Sequence, residues 1–414
     1  MYRREVSAYR ERLVDRVLDE LLEDVPGVLL LGPRGVGKTT TLARRAGTVV
    51  RLDREGEAIA FRADPDAALR GLAEPILIDE WQIAPGVLAA IKRSIDADSR
   101  AGRFLVTGSV RARLREETWP GTGRLVSISM AAMSMREIVG RTAGASVIDR
   151  LAEGEQLEAR DAPDLRGYVE QALASGFPEA VLRTPDRSRS RWLAAYVDQL
   201  VTRDAEMLAE RRDPQRLRRY VEAYALCSAG VAPHSTLYDA AGINQRTAVG
   251  YEALLENLLI ADPVPSWRSN RLKRLVEMPK RYLVDAGLLE GVLRLGVDGF
   301  LREGDLLGRL IDTFVTSQIR AELPLASRGA RLHHLRTEQG RHEADLVIAL
   351  PGQRVLGIEI KATASPGARD ARHLRWLRDE LGDHFVGGVV FHTGPRSFRL
   401  DERIQAAPIA AIWA

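Results

Sequence analysis

Eight consecutive residues carry the strongest chemical signal in the chain. Gly32-Pro33-Arg34-Gly35-Val36-Gly37-Lys38-Thr39 fits G-x-x-x-x-G-K-[ST], with Thr40 following. Glycines let a backbone curl until successive N–H groups point at phosphate oxygens. The N-terminus of the helix that follows adds partial positive charge. Lys38 is placed to reach the β- and γ-phosphates of a nucleoside triphosphate, and the Thr39 hydroxyl to ligate Mg²⁺. ATP and Mg²⁺ are therefore the expected cofactors, with residues 32–40 as their cradle.

Such a loop calls for an acidic strand end downstream. Ile76-Leu77-Ile78 runs into Asp79-Glu80. Asp79 would hold Mg²⁺ through water, and Glu80 would orient and polarise the attacking water. The apolar stretch ending at Val106 leads into Thr107-Gly108-Ser109, and Ser109 is a candidate sensor of the γ-phosphate.

A second set of chemical residues lies near the C-terminus. Glu343–Leu350 and Val355–Ala362 read as strands joined by the turn Pro351-Gly352-Gln353. Side chains alternate along a strand, so Glu359 and Lys361 share one face. A three-residue hairpin loop sets Asp345 directly opposite Glu359. The helical stretch Leu306–Leu323 would bring Asp312 to the same place. Asp345 and Glu359 could then ligate Mg²⁺ while Lys361 orients or deprotonates a water. This is the pattern of the PD-(D/E)XK nuclease-like fold, with two departures. Ala344 stands where that pattern often has proline, and Asp312 stands for a glutamate. His342 is a remote candidate to support the carboxylates. None of the scattered histidines has zinc-site spacing.

The elements that must position these residues follow from hydropathy. Strands are expected at Val28–Leu31, Val49–Leu52, Arg103–Val106 and Leu125–Met130. Helices are expected at Thr40–Ala46, Asp64–Leu72 and Pro85–Asp96. That alternation predicts a parallel sheet covered on both faces. Residues 146–230 read as a helical lid or connector that includes Trp192–Leu208, where Arg203 is expected to form a salt bridge. Ser235–Ala241, the turn Gly242-Ile243-Asn244, Gln245–Leu259 and a strand at Ile260–Val264 give a winged-helix pattern. Its second helix would expose Arg246, Thr247 and Tyr251, although Glu252 and Glu256 share that helix. Lys280 and Asp285 precede a short helix and read as structural. A helix at Arg369–Leu381 and strands at Val386–His392 and Ala410–Trp413 would complete the C-terminal core.

Together these motifs resemble one family. The loop at 32–40, Leu77-Ile78-Asp79-Glu80, Leu105-Val106-Thr107-Gly108-Ser109, Gly123-Arg124 and Met133-Ser134-Met135-Arg136-Glu137 are similar to bacterial and archaeal AAA-type ATPases with a C-terminal domain of unknown function. The resemblance covers nearly the whole chain. It implies ATP hydrolysis, makes Arg124 a candidate arginine finger or structural arginine with Arg111 and Arg113 as rivals for the finger, and allows a homo-oligomer. The expected fold class is α/β. The expected domains are a P-loop AAA-type ATPase domain (1–145), the helical connector (146–230), a winged helix (231–299) and a restriction-endonuclease-like α/β domain (300–414).

Composition narrows the function classes. The 414 residues are 45% hydrophobic and 28% charged, which excludes a disordered chain or a coiled coil. No apolar run approaches the ~20 residues of a membrane span. The start, Met1-Tyr2-Arg3-Arg4-Glu5, lacks a secretory apolar stretch, so a cytoplasmic location is expected. The lone Cys227 reads as a buried inert thiol. A net charge of +3 does not by itself demand nucleic acid. Only 5 of the 60 basic residues are lysine, and two of them, Lys38 and Lys361, fall in motifs that need one. The expected partners are ATP, then DNA or RNA, or a protein. The expected activity is ATP hydrolysis coupled to a nuclease-like, nucleic-acid-handling domain. The alternative is a nucleotide-gated DNA- or protein-binding module that does not cut.

Overall fold

Residues 27–31 are apolar or small at every position and buried throughout, because both faces of the strand they form are covered. The computed structural model describes residues 9–109, 123–204, 213–268, 276–326, 329–337 and 340–414. Strand β1 (Gly27–Leu31) lies in a five-stranded sheet with β2 (Thr48–Arg51), β3 (Ile76–Asp79), β4 (Phe104–Gly108) and β5 (Val126–Ser129). The order is β2-β3-β4-β1-β5 and every pairing is parallel. Alternation sorts the side chains. Val28, Leu30, Leu77 and Leu105 join Leu18 of the Leu13–Asp24 helix on one face. Leu29, Leu31, Ile76, Ile78 and Val106 join Val87, Leu88 and Ile91 of the Gly86–Ala97 helix on the other.

Two helix boundaries differ from expectation for a local reason. The helix expected at Asp64–Leu72 is the shorter Pro65–Leu69, and a separate helix, Glu55–Ala63, precedes it. Pro65 keeps the residue before it out of the helical region, and Asp64 instead caps the second helix by accepting from the Ala67 N–H. The helix expected at Thr40–Ala46 is short and starts earlier, at Lys38–Ala43.

The middle of the chain is helical: Leu165–Leu173, Asp186–Gln199, Pro214–Leu226, His234–Ala241 and Gln245–Asn257. The last two flank a turn in which Gly242 takes φ 63°, a left-handed cap that favours glycine. The strand expected at Ile260–Val264 is reduced to single bridges, Ala261 to Leu283 and Val264 to Lys280. Tyr251, expected to be exposed, is buried, with its ring edge-on to Tyr220 at 5.7 Å. Arg246 is exposed. Arg111, Arg113 and the side chain of Arg203 lie outside the described residues.

A second sheet closes the chain, in the order β10-β11-β9-β8-β7-β6. Its strands are β6 (Arg331–Arg336), β7 (Glu343–Leu350), β8 (Arg354–Lys361), β9 (Phe385–His392), β10 (Phe398–Asp401) and β11 (Ile404–Pro408). The β7–β8 hairpin pairs Leu346 with Ile358 and Leu350 with Arg354. Asp345 and Glu359 are the next positions along that register. The tight turn places Gly352 at φ 72° and Gln353 at φ 62°. The Gly304–Glu322 and Arg372–Leu381 helices pack against the sheet. The strand expected at Ala410–Trp413 is a buried 3₁₀ turn at Ile409–Ile412, and β10 and β11 occupy that edge. Among the described residues no helix is long and apolar enough to cross a membrane.

Candidate functional site

The loop after β1 is shaped by what surrounds it. A Cβ on Gly32 would stand 2.3 Å from the Met130 carbonyl, so the close approach requires glycine. Gly35 and Gly37 take φ 83° and 99°, also glycine territory. Val36 is fully buried, and its carbonyl accepts from the Arg12 guanidinium at 2.7 Å. Arg34 and Thr40 are exposed, and the Arg34 carbonyl accepts from the Tyr196 hydroxyl at 2.8 Å. Lys38 folds back over the loop and donates to the Gly32 and Pro33 carbonyls at 2.8 and 2.9 Å. Burial lowers the Lys38 ammonium to about 8, against the opposing pull of Glu80 and Asp79. Charged phosphate in the cradle would restore its proton affinity.

The acidic strand end meets the loop. Thr39 Oγ1 donates to Asp79 Oδ1 at 2.9 Å. Hard oxygen donors from one hydroxyl and one carboxylate suit Mg²⁺, which keeps several waters and takes its remaining ligands from phosphate. Burial raises the Asp79 carboxyl, with Thr39 working against it. Glu80 sits in the left-handed region at φ 54°. Its carboxylate accepts from the Gln82 amide and, at 3.2 Å, from the Ser109 hydroxyl. Ser109 therefore reaches Glu80 at the end of β4. A cavity of about 480 Å³ opens over the loop, lined by Tyr9, Arg12, Gly35, Gly37–Thr41, Glu80 and Met133 and by Pro178, Leu182 and Arg183 from the helical region. That size suits a nucleotide.

Several of these residues were not legible as functional. Arg12 is buried, donates to the Val36 and Ala131 carbonyls, and pairs with Glu137 at 3.0 Å. Tyr9 lines the cavity and bonds Asp15 and Thr41, with the Arg44 guanidinium 4.2 Å over its ring. Pro178, Leu182 and Arg183 come from a region whose sequence reads only as a helical connector. Arg124 does not reach the loop of its own chain. It precedes β5 at the end of the sheet opposite the loop and pairs with Asp96 at 2.6 Å. The parallel register that sends Leu31 and Ser129 to the loop end leaves Arg124 at the other.

The C-terminal carboxylates converge, but not around an open position. Lys361 Nζ lies 2.7 Å from Glu359 Oε2 and 3.7 Å from Asp345 Oδ2. Asp312 arrives from the Gly304–Glu322 helix and accepts from the Tyr282 hydroxyl at 2.9 Å. Between Asp312 and Asp345 sits Lys280, 2.7 Å from one carboxylate and 3.1 Å from the other. The expected metal ligands Asp345 and Glu359 are thus each paired with an ammonium, Asp345 with Lys280 and Glu359 with Lys361. Among the described residues no group of three or more His, Cys, Asp or Glu side chains is arranged to hold a metal ion. Burial opposes charge on Lys280, yet its two carboxylates outweigh burial and hold the ammonium well above its usual range. Burial raises Glu359 well above the usual carboxylate range, and the Asp345 charge adds to it. Burial likewise opposes charge on Asp345, but Lys280 and Lys361 outweigh it and hold the carboxyl below its usual range. His342 stacks on Trp376 at 4.2 Å, so it serves packing.

Residues 25–139 match the AAA domain family. That match contains the glycine loop at 32–39 and the acidic strand end at Asp79-Glu80. Residues 165–298 match a domain of unknown function (DUF8612), and residues 307–412 match another (DUF4143). An uncharacterised protein of Mycobacterium tuberculosis is 29% identical over 398 residues, covering 94% of this chain and 82% of that protein. An uncharacterised protein of Mycobacterium bovis is similar to the same extent. Among solved structures, a Walker-type ATPase of Pyrococcus abyssi is 19% identical with a TM-score of 0.39, covering 68% of this chain and 94% of that one. A RuvB variant of Thermotoga maritima is 21% identical with a TM-score of 0.30, covering 61% and 89%.

Proposed function

We propose that the protein binds and hydrolyses ATP with Mg²⁺ and uses nucleotide state to reposition a C-terminal domain that binds nucleic acid or protein without cutting it. The observation that carries the ATPase reading is the Thr39–Asp79 hydrogen bond beneath the Lys38 loop, with Glu80 beside it. Lys38 would neutralise the β- and γ-phosphates, and the Gly35–Lys38 amides would hold them. Thr39 and Asp79 would hold Mg²⁺, which supplies charge neutralisation on the same phosphates. Glu80 would orient and deprotonate the attacking water once it leaves Gln82 and Ser109.

The non-cutting form is favoured over a nuclease by Lys280 between Asp312 and Asp345. The winged-helix reading of 231–299, the nuclease-like reading of 300–414 and the division at 145 and 230 belong to this same proposal. So does assembly into a homo-oligomer. The test is ATP turnover and calorimetric ATP binding for wild type and Lys38→Ala. Turnover should fall at least ~100-fold in the variant. Equal turnover in both would remove the ATPase reading. Plasmid, single-stranded DNA and RNA incubated with Mg²⁺ or Mn²⁺ should stay intact. Cleavage that is lost in Asp345→Ala would restore the nuclease.

A further inference from the structure

The amides of the glycine loop are aimed with the help of groups outside it. A peptide unit is planar and trans, so the carbonyl of one residue and the N–H of the next point in opposite directions. A donor that holds a loop carbonyl therefore fixes where the following amide points. Arg12 holds the Val36 carbonyl at 2.7 Å and so orients the Gly37 N–H. The Tyr196 hydroxyl does the same one glycine earlier, donating to the Arg34 carbonyl at 2.8 Å and so orienting the Gly35 N–H. Gly35, Gly37 and Arg12 line the cavity over the loop, whereas Tyr196 does not. Its ring lies beside Gly35, where a Cβ would stand 3.9 Å from the Tyr196 Cε2.

Tyr196 comes from a different part of the chain, 162 positions from its acceptor and outside the segment that matches the AAA domain family. It sits on the Asp186–Gln199 helix, stacked on Trp192 at 5.4 Å and 15°, with the fully buried Phe177 ring at 4.7 Å. Two packed rings leave the hydroxyl little choice of direction, so the helix decides where it points. That helix is itself held closely. A Cβ on Gly291 would stand 2.9 Å from the Leu193 backbone, which brings the Gly287–Leu293 helix against it. Just before the latter, the buried Asp285 accepts from the Gly176 N–H at 2.8 Å, next to Phe177. One hydroxyl therefore joins the Arg34–Gly35 peptide to a packed unit of the helical region.

We propose, resting on the phosphate-binding reading of the loop, that Tyr196 is a positioning residue for the triphosphate. Its hydroxyl aims the Gly35 amide at the phosphates, so the strength of phosphate binding depends on how the helical region is seated against the loop. Binding couplings are reciprocal, so phosphate in the loop tightens the seating of the Asp186–Gln199 helix in return. Tyr196 acts through the loop backbone and touches neither the base nor the attacking water. It therefore changes affinity and leaves the chemical step alone.

The test uses the full chain and two ligands, MgATP and magnesium tripolyphosphate, which has the phosphates without the base. Tyr196→Phe keeps the ring and its stack and removes only the hydrogen bond. Its dissociation constants for both ligands should rise about 5-fold by calorimetry, the worth of one such bond. KM for MgATP should rise with them while kcat stays within about 2-fold of wild type, as expected for binding lost equally from ground and transition states. The melting temperature without ligand should stay within about 1 °C of wild type. Wild-type affinity for tripolyphosphate in Tyr196→Phe would overturn the proposal and leave the ATPase reading standing. A loss seen with MgATP alone would also overturn it, by placing Tyr196 at the base. Wild type that binds neither ligand would remove the ATPase reading and the proposal with it. Hydrogen exchange along Asp186–Gln199 supplies a readout that needs no variant. Saturating tripolyphosphate should slow it several-fold in wild type, and much less in Tyr196→Phe. Exchange in wild type that the ligand leaves unmoved would overturn the proposal.

Discussion

Glu80 combines a strained backbone with a tethered carboxylate. A side-chain-bearing residue at φ 54° costs on the order of 1 kcal/mol, and the surrounding structure must hold it there. The return is direction: the carboxylate leaves β3 on the cavity side, beside Thr39 and Asp79. If Glu80 activates the attacking water, Glu80→Gln keeps shape and polarity but removes the base. Nucleotide affinity should change little, while turnover falls by about 10²–10⁴-fold. Calorimetric binding alongside a phosphate-release assay separates the two quantities. Turnover at the wild-type rate would show that Glu80 only shapes the loop. At this scale the sequence was informative wherever chemistry is local. Lys38, Thr39, Asp79 and Glu80 were named from motif and strand alone, and the structure brings them together. The role of Lys280 was not legible, because its partners lie 32 and 65 positions away in the chain. Nothing in a segment's own periodicity records which carboxylate it will meet. Arg12 escaped for the same reason, as its partners on the loop and on Glu137 are remote in sequence.

The elements are joined by buried charge. Arg12, next to the Leu13–Asp24 helix, grips the loop and pairs with Glu137. Glu137 caps its own short helix, and the neighbouring Arg136 pairs at 3.0 Å with Glu322, at the end of the long C-terminal helix. Gln318 of that helix accepts from the Met135 N–H at 2.7 Å. The same helix carries Asp312, so loop and carboxylate cluster share one stiff connection. Removing one member of a buried pair costs about 3–5 kcal/mol, because the other charge stays behind unpaired. Glu322→Ala should therefore lower stability by about that much in urea denaturation. Arg136→Met/Glu322→Leu should recover most of it. A single variant within ~0.5 kcal/mol of wild type would mean that the pair adds nothing. Element type was largely readable: β1, β3, β4 and the β7–β8 hairpin follow from apolar runs and turn residues. Short apolar runs are where reading failed. Residues 409–413 have the composition of a strand, yet they close as a 3₁₀ turn whose Trp413 meets Tyr168 and Phe314. No local signal separates those outcomes, since the deciding surfaces are supplied by other elements.

One apolar core runs through the whole molecule. It includes Leu18, Val28 and Leu30 beneath the first sheet, Tyr168 and Tyr224 in the helical region, and Leu310, Ile348, Phe391 and Trp413 at the C-terminal end. The Trp413 ring lies edge-on to Tyr168 at 6.3 Å and to Phe314 at 6.0 Å, and its carbonyl accepts from Arg141 at 3.1 Å. Neither the first sheet nor the C-terminal sheet can open without exposing part of this shared surface. Ligand bound at the loop should therefore stabilise the C-terminal domain as well. At about 100 times its dissociation constant, MgATP adds ~2.7 kcal/mol to the folded state. With an unfolding entropy near 2.1 cal/mol/K per residue, that moves the midpoint of a chain this long by about 3 °C. Calorimetry should show one transition, displaced as a whole by MgATP and unmoved by it in Lys38→Ala. Proteolysis that cuts only between β6 and β11 should slow in step with it. Two transitions, with only the first responding to nucleotide, would mean that the shared core does not couple the two sheets. The connection through Arg12, Glu137, Arg136 and Glu322 would then hold the parts together without carrying information between them.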